Sequence, residues 1–403
     1  MKFCISKGGF SMYDFTTLRP RRNMGAEKWS TFEAMNVDNP ALVPYSVADM
    51  EFAVAPQITA AIQKAASFGV YGYTIADGPY KQAVCRWMAR RHHWTVELEW
   101  MFQTFGVVPA MNLAVHALTQ PGEGVIIQPP VYPPFRKVVE NTGRKVWENP
   151  LKLENGRYVM DLEGLEELAS RPDVKLFFLC SPHNPVGRVW TREELQAAAD
   201  ICARHGVTVF SDEIHADFVH PGHVHTPFAT LDGPAAKRCI VGTSASKSFN
   251  LAGLATANII VPDDDLRAAL LDKQVGYTGE YTSYFGLTAT RAAYEEAEDW
   301  LEELLDVIRG NYEYCKAFLK EKFPSVITYP MEGTYLMWCD FRGLGLTPEE
   351  QEKFFLSCQL CLDEGYIFGY QGAGFERINL ACPRQCLEAA MERLDRAAEG
   401  LPR

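Results

Sequence analysis

Three short apolar runs, each ending just before a polar residue, constrain this chain more than anything else in it. Leu176-Phe-Phe-Leu-Cys180 leads into Ser-Pro-His-Asn184, Val207-Thr-Val-Phe-Ser-Asp212 stops on an acid, and Cys239-Ile-Val-Gly242 leads into Ser244-Ala-Ser-Lys247. Runs this short, bounded by turn residues and without polar alternation, read as strands buried on both faces. Between the first two, Thr191 with Glu194 three residues on forms a capping box, and the helix it opens runs through Ala203 to a stop at Gly206. The same alternation precedes them. Residues 100–106 read as a strand, 109 to about 119 as a helix stopped by Pro121-Gly122, 124–128 as a strand and 145–148 as another. Strands alternating with helices predict an α/β fold, a mostly parallel central sheet flanked by helices. Ligands of such sheets bind beyond the carboxyl ends of the strands, where Asn184, Asp212 and Lys247 all fall.

After Pro262 the pattern changes. A helix is expected over 266–274 and a long amphipathic one over 288–323, with strands returning at 333–339 and 377–381. This predicts a large domain over 46–290 and a smaller α+β domain over 291–403, which the segment 1–45 joins. Met12 is an alternative start to Met1. No repeat or low-complexity linker interrupts the 403 residues, whose 47% apolar and 22% charged composition suits a large globular core. A net charge of −12 argues against nucleic acid or an anionic membrane as the main partner. No apolar stretch approaches the roughly 20 residues that span a bilayer, and the first eleven residues carry no apolar signal-peptide core. The eleven cysteines, an odd number set mostly within apolar runs (Cys180, Cys202, Cys239, Cys339), suit buried thiols in a reducing cytoplasm.

A lysine, an aspartate and an asparagine at strand ends suit one chemistry. The lysine can hold an aldehyde cofactor as a Schiff base and the aspartate can keep a pyridine nitrogen protonated, which points to pyridoxal 5′-phosphate. Gly106-Val107-Val108-Pro109 opens a helix, with Pro109 suited to the first turn, and the free N–H groups there make an anion site for the phosphate. Further motifs run in order along the chain: Ser46-Val-Ala-Asp-Met50, Tyr71-Gly-Tyr-Thr74, Phe105-Gly-Val-Val-Pro-Ala110, Pro130-Val-Tyr-Pro-Pro-Phe135, Pro182-His-Asn-Pro185, Ser211-Asp-Glu-Ile-His215, Ser244-Ala-Ser-Lys-Ser-Phe-Asn250 and Arg377-Ile-Asn379. From about Tyr13 to the C-terminus the chain resembles the MalY/PatB group of cystathionine β-lyase-like C–S lyases, fold-type I pyridoxal-phosphate enzymes of the aminotransferase superfamily.

The resemblance implies a role for each site residue. Lys247 would form the Schiff base and then act as base on Cα, Asp212 would pair with the pyridinium nitrogen, and Asn184 would donate to the 3′ oxygen. Tyr132 would stack on the ring, though a core tyrosine in a proline-rich turn has the same signature. Ser244 would add a hydroxyl to the phosphate, and Tyr73 a phosphate contact from a neighbouring subunit, making a homodimer. Arg377 would clamp the substrate's α-carboxylate, which implies an amino acid substrate. Ala255 stands where many aminotransferases have a phosphate-binding arginine, and His215 where they have a tyrosine on the 3′ oxygen. Both departures favour elimination over transamination. The expected reaction is β-elimination from L-cystathionine, L-cystine or other S-substituted cysteines, giving thiol, pyruvate and ammonia. An aminotransferase using the same residues, or a lyase with an added regulatory protein-binding role, are the rival readings.

Other patterns weigh less. Ser244-x-x-Lys247 imitates a penicillin-recognising hydrolase but lacks that family's Ser-Asp-Asn and Lys-Thr-Gly companions. Cys358, Cys361, Cys382 and Cys386 imitate a zinc site, with separate buried thiols favoured and the first pair expected on a helix. His220, His223 and His225 crowd one loop, expected to be solvated and near the cleft entrance rather than metal-binding.

Overall fold

The computed structural model describes residues 5–6, 9–10, 12–35, 39, 42–399 and 401. Met1, one of the two candidate starts, lies outside the described residues.

Seven strands form the central sheet: β1 (Met101–Thr104), β2 (Gly124–Ile127), β3 (Lys145–Glu148), β4 (Val174–Cys180), β5 (Thr208–Asp212), β6 (Cys239–Thr243) and β7 (Ala257–Ile260). Their order across the sheet is β1-β7-β6-β5-β4-β2-β3, and all run parallel except β7. Most are buried along their whole length, as the unbroken apolar runs require. The antiparallel β7 was not foreseen, because Asn258 interrupts its short apolar run. Asn258 is buried there by accepting a hydrogen bond from Tyr80 at 2.7 Å.

Register places the three informative strands level with one another. Cys180 pairs with Asp212, and Asp212 with Gly242. The Thr191/Glu194 capping box is present, and its helix, Arg192–His205, stops at Gly206 with φ 68°. The phosphate-site helix begins at Val107, two residues before the expected Pro109, and ends at Leu118.

A second sheet of four antiparallel strands comprises β8 (Ile327–Thr328), β9 (Leu336–Asp340), β10 (Asp363–Glu364) and β11 (Phe375–Asn379), in the order β8-β9-β11-β10. Before it, the single helix expected over 288–323 is two, Tyr284–Glu296 and Glu298–Lys322. They part at Ala297, whose φ of −123° leaves the helical range. The first helix packs on Pro56–Ser67 and Gly78–His92, the second on Arg384–Ala397, so each buries its stripe against a different layer. No helix among the described residues is long and apolar enough to cross a membrane.

Candidate functional site

At the level strand ends, the last residue of β5, Asp212, meets Asn184 and Lys247 from the segments after β4 and β6; the first two are buried and Lys247 partly so. The backbone N–H of Ser181 donates to Asp212 O at 3.0 Å and that of Glu213 to Gly242 O at 2.9 Å, which carries the pairing past the strands. From the small sheet, Arg377 on β11 reaches across and donates through Nη1 to Asn184 Oδ1 at 2.9 Å. Its Nε and Nη2 both bond Asp363 Oδ2, at 3.1 and 2.5 Å, so Arg377 is gripped on one edge and presents the other. Tyr132, which follows the proline-rich turn after β2, donates its backbone N–H to Asn184 O at 3.1 Å.

Each charge feels the others. Burial pushes the Asp212 carboxyl up to about 7, against the pull of the Ile214 N–H and of Lys247. That N–H, at 3.1 Å, is the one hydrogen bond drawn to its side chain. Burial, and after it Arg377, lower the Lys247 ammonium to about 8 against the opposing pull of Asp49 and Asp212. Burial, with Lys247 and Arg377, holds His215 far below the ordinary imidazole range, so its ring is neutral and an N–H on only one nitrogen. The phenol of Tyr132 is raised by burial and stays protonated.

Lys247 lies under a strap formed by residues 46–52. Its Nζ donates to Ala48 O at 2.7 Å, and the Tyr335 hydroxyl donates to the same oxygen at 2.8 Å. Asn379 Nδ2 bonds Val47 O and Asp49 O, at 2.6 and 2.7 Å, on either side of it. Asn250 fastens the next turn of the strap through Met50 and Phe52. Val47 is left-handed with φ 52°, strain for a β-branched residue that those bonds sustain.

The start of the Val107–Leu118 helix abuts β6, where the Val107 side chain fills the space a Cβ on Gly242 would occupy. Gly106 has no side chain to cap it, so the Val107 and Val108 end of the helix stays an anion-attracting terminus. The Ser244 hydroxyl is turned inward. It accepts from Ser246 N at 3.0 Å as a helix cap and lies 2.6 Å from Thr256 O, so it is more a structural cap than a free ligand. Tyr73 sits apart from all of these, 90% exposed and stacked on Tyr281 at 4.7 Å.

The residues present fit pyridoxal phosphate. A carboxyl raised by burial suits a pyridinium N–H, and His215 Nδ1 is a buried polar atom with no partner among the described residues. An amine lowered toward neutrality suits an aldehyde, and an uncapped helix start suits the phosphate. Asp363, Tyr335 and the Ala48 carbonyl escaped sequence reasoning. Asp363 lies on a two-residue strand with no pattern around it, and the other two act only through tertiary contact.

The remaining patterns resolve differently from one another. Every described cysteine is a free thiol, and among the described residues no group of three His, Cys, Asp or Glu side chains could hold a metal. Cys358 caps the Pro348–Ser357 helix and Cys361 lies beyond it, so the pair does not share a helix as expected. The histidine loop is exposed, as expected, at Pro221, Gly222 and Val224, but two of its three histidines turn inward. His220 and His225 are buried, bonding Thr334 O at 3.0 Å and Glu213 Oε2 at 2.9 Å, and with His223 they line a cavity of about 440 Å³ alongside Arg90, Arg91 and Arg309.

Comparison with known proteins agrees with this geometry. Residues 43–394 match the family described as aminotransferase class I and II. The chain is 40% identical over 389 residues to cystathionine beta-lyase PatB of Bacillus subtilis, covering 95% of this chain and 99% of that protein. It is 32% identical over 380 residues to protein MalY of Escherichia coli, covering 94% and 96% respectively. Its structure matches cystalysin from Treponema denticola, which contains a pyridoxal 5′-phosphate cofactor, with a TM-score of 0.94 and 40% identity over 96% of this chain and 99% of that one.

Proposed function

The chain belongs to the class I and II aminotransferase family, and from that premise we propose that it is a pyridoxal-phosphate-dependent carbon–sulfur β-lyase acting on L-cystathionine and other S-substituted cysteines. The observation that carries this is the convergence of Lys247, Asp212, Asn184 and Arg377 at one sheet edge, in a chain that matches a cystathionine beta-lyase along almost its full length.

Pyridoxal phosphate, when bound, supplies an electrophilic carbon for the substrate amine and a ring that accepts the electron pair left on the α-carbon. The protein supplies the rest. Lys247 would hold the aldehyde, Asp212 the ring nitrogen, Asn184 and His215 the oxygen side of the ring, Tyr132 its face, and the Val107 and Val108 end of the helix the phosphate, with Ser244 shaping the turn behind it. Arg377, its Nε edge taken by Asp363, offers the substrate carboxylate its remaining N–H groups beside Asn184. With the carboxylate held there, we assign removal of the α-proton to the Lys247 amine. An ammonium lowered to about 8 is partly neutral near pH 7, so Lys247 takes that proton directly. The C–S bond then breaks, the thiol leaves with a proton, and water converts the three-carbon remainder to pyruvate and ammonia.

Tyr73 supports a homodimer. It is too exposed to serve its own cleft, and Phe68, Val70, Tyr71 and Ile75 beside it are also exposed, an apolar patch suited to a second copy. We read Tyr73 as a phosphate contact in that copy. The joining of the N-terminal segment to a small unit over 291–403 is supported by Tyr45, whereas the boundary at 290 falls inside the Tyr284–Glu296 helix, which packs on helices of the large unit. The Tyr45 N–H bonds Cys361 O, its carbonyl accepts from Asn379 N and its hydroxyl bonds Cys386 O. Free thiols throughout the described core support a cytoplasmic setting.

The test is pyruvate release from L-cystathionine without any added 2-oxo acid. Stoichiometric pyruvate and thiol support the lyase, whereas turnover that requires an oxo-acid acceptor replaces it with transamination.

A further inference from the structure

The turn carrying Lys247 is pinned from behind by charge. Ser248, wholly buried, donates its hydroxyl to Asp217 Oδ2. Asp217 Oδ1 lies 2.9 Å from His92 Nε2, on the last residue of the Gly78–His92 helix, and 4.0 Å from Arg91 Nε. Burial works to raise the Asp217 carboxyl, but His92, Ser248 and Arg91 together hold it below the usual carboxylate range. A buried ionic group of this kind stabilises a fold little better than apolar side chains of the same volume. Its presence beneath a reactive lysine asks for a role other than stability.

The other flank of the turn is already closed by rings. Phe249 is fully buried, its ring centroid 5.6 Å from Trp87, 6.1 Å from Tyr294 and 6.0 Å from Trp300. Apolar contacts of that sort hold a turn against solvent without fixing its rotation, because dispersion is weakly directional. Ser248 supplies a directed bond one residue from the amine. We propose that Asp217 and His92 are positioning residues for Lys247, acting through Ser248 to fix the Ala245–Ser248 turn so that the amine meets the substrate's α-proton in line. The inference rests on Lys247 being the base of the proposed reaction. A displacement of about 1 Å at such a centre costs about 100-fold in rate, which sets the scale of the effect.

The experiment compares Ser248→Ala, Asp217→Asn and the double variant with wild type, each as holoenzyme. Both single variants are expected to lose about 10- to 100-fold in kcat with KM within about twofold, since substrate binding is untouched. The isotope effect with Cα-deuterated substrate rises, because proton removal has become slower. The double variant is no worse than the worse single one, as two changes on one contact path require. His92→Gln, which keeps an N–H donor toward Asp217, retains most of the rate where His92→Ala does not. Cofactor-free Ser248→Ala also takes up pyridoxal phosphate more slowly than wild type, as followed by visible absorbance. Ser248→Ala leaves the Asp217–His92 pair whole, so it decides the matter if Asp217→Asn does not fold. A kcat within about twofold of wild type, or a loss carried by KM with an unchanged isotope effect, overturns the inference. Lys247→Ala, run alongside, separates the two levels. Its retained activity sinks the reading of the reaction, whereas its inactivity beside normal Ser248 and Asp217 variants sinks the positioning role alone.

Discussion

The two sheets place their functional groups in opposite ways. The seven-stranded sheet holds Asp212 at the last position of a strand, and Asn184 and Lys247 just past the ends of its neighbours, where burial moves Asp212 up and Lys247 down from their ordinary values. The four-stranded sheet holds Arg377 inside a strand, paired across to Trp338 and gripped by Asp363. On the proposed reading, strand ends and the segments after them set the chemistry, and the interior of a strand sets the grip. Damage to the first should appear in kcat, and damage to the second in KM.

Lys247→Ala breaks the chemical half outright, with kcat expected to fall by about 10⁴-fold when the proton acceptor is lost; single-turnover pyruvate release measures it. Arg377→Ala attacks the grip and is expected to cost about 30- to 1,000-fold in kcat/KM, mostly through KM, because a buried charge contact to the substrate is removed. Asp363→Asn sharpens the contrast. It leaves Arg377 in place but loosens one edge, for a rise in KM of about tenfold with kcat held, read from initial rates against substrate concentration. A pH series joins the two halves. The base works only as a neutral amine, so kcat rises with pH toward a plateau above about 8 and falls below it, where Lys247 becomes an ammonium. Arg377 is one of the groups depressing Lys247, after burial itself, so Arg377→Gln should move that rise to higher pH. The smallest effect is expected from Tyr73→Phe, a loss of a few-fold in cofactor affinity by equilibrium dialysis, as for one hydrogen bond to a charged group at an exposed position.

The chemical half was the more legible in sequence, for a physical reason. A strand buried on both faces must be apolar throughout, so the residue that ends it stands out, and Asn184, Asp212 and Lys247 could be read directly. Arg377 was found only through a resemblance, since one arginine in an alternating strand is ordinary. Asp363 carried no signal, because a two-residue strand has no period. The break at Ala297 was hidden by an amphipathic pattern that runs on across it and says nothing about which layer each half meets. The histidine loop was legible in part: Pro221, Gly222 and Val224 are exposed as expected, but nothing in the sequence marks Thr334 and Glu213 as the partners of the buried His220 and His225.

The spacing of Arg377 and Asn379 has a metric consequence. Side chains two residues apart on a strand face the same way, about 7 Å apart along it. On the proposed reading the first, Arg377, takes the substrate carboxylate, while Asn379 ties down the strap whose Ala48 carbonyl accepts from Lys247. Strand β11 therefore ties two parts of the site to one rigid piece of backbone: a shift of this strand would carry Arg377 and the strap over Lys247 together.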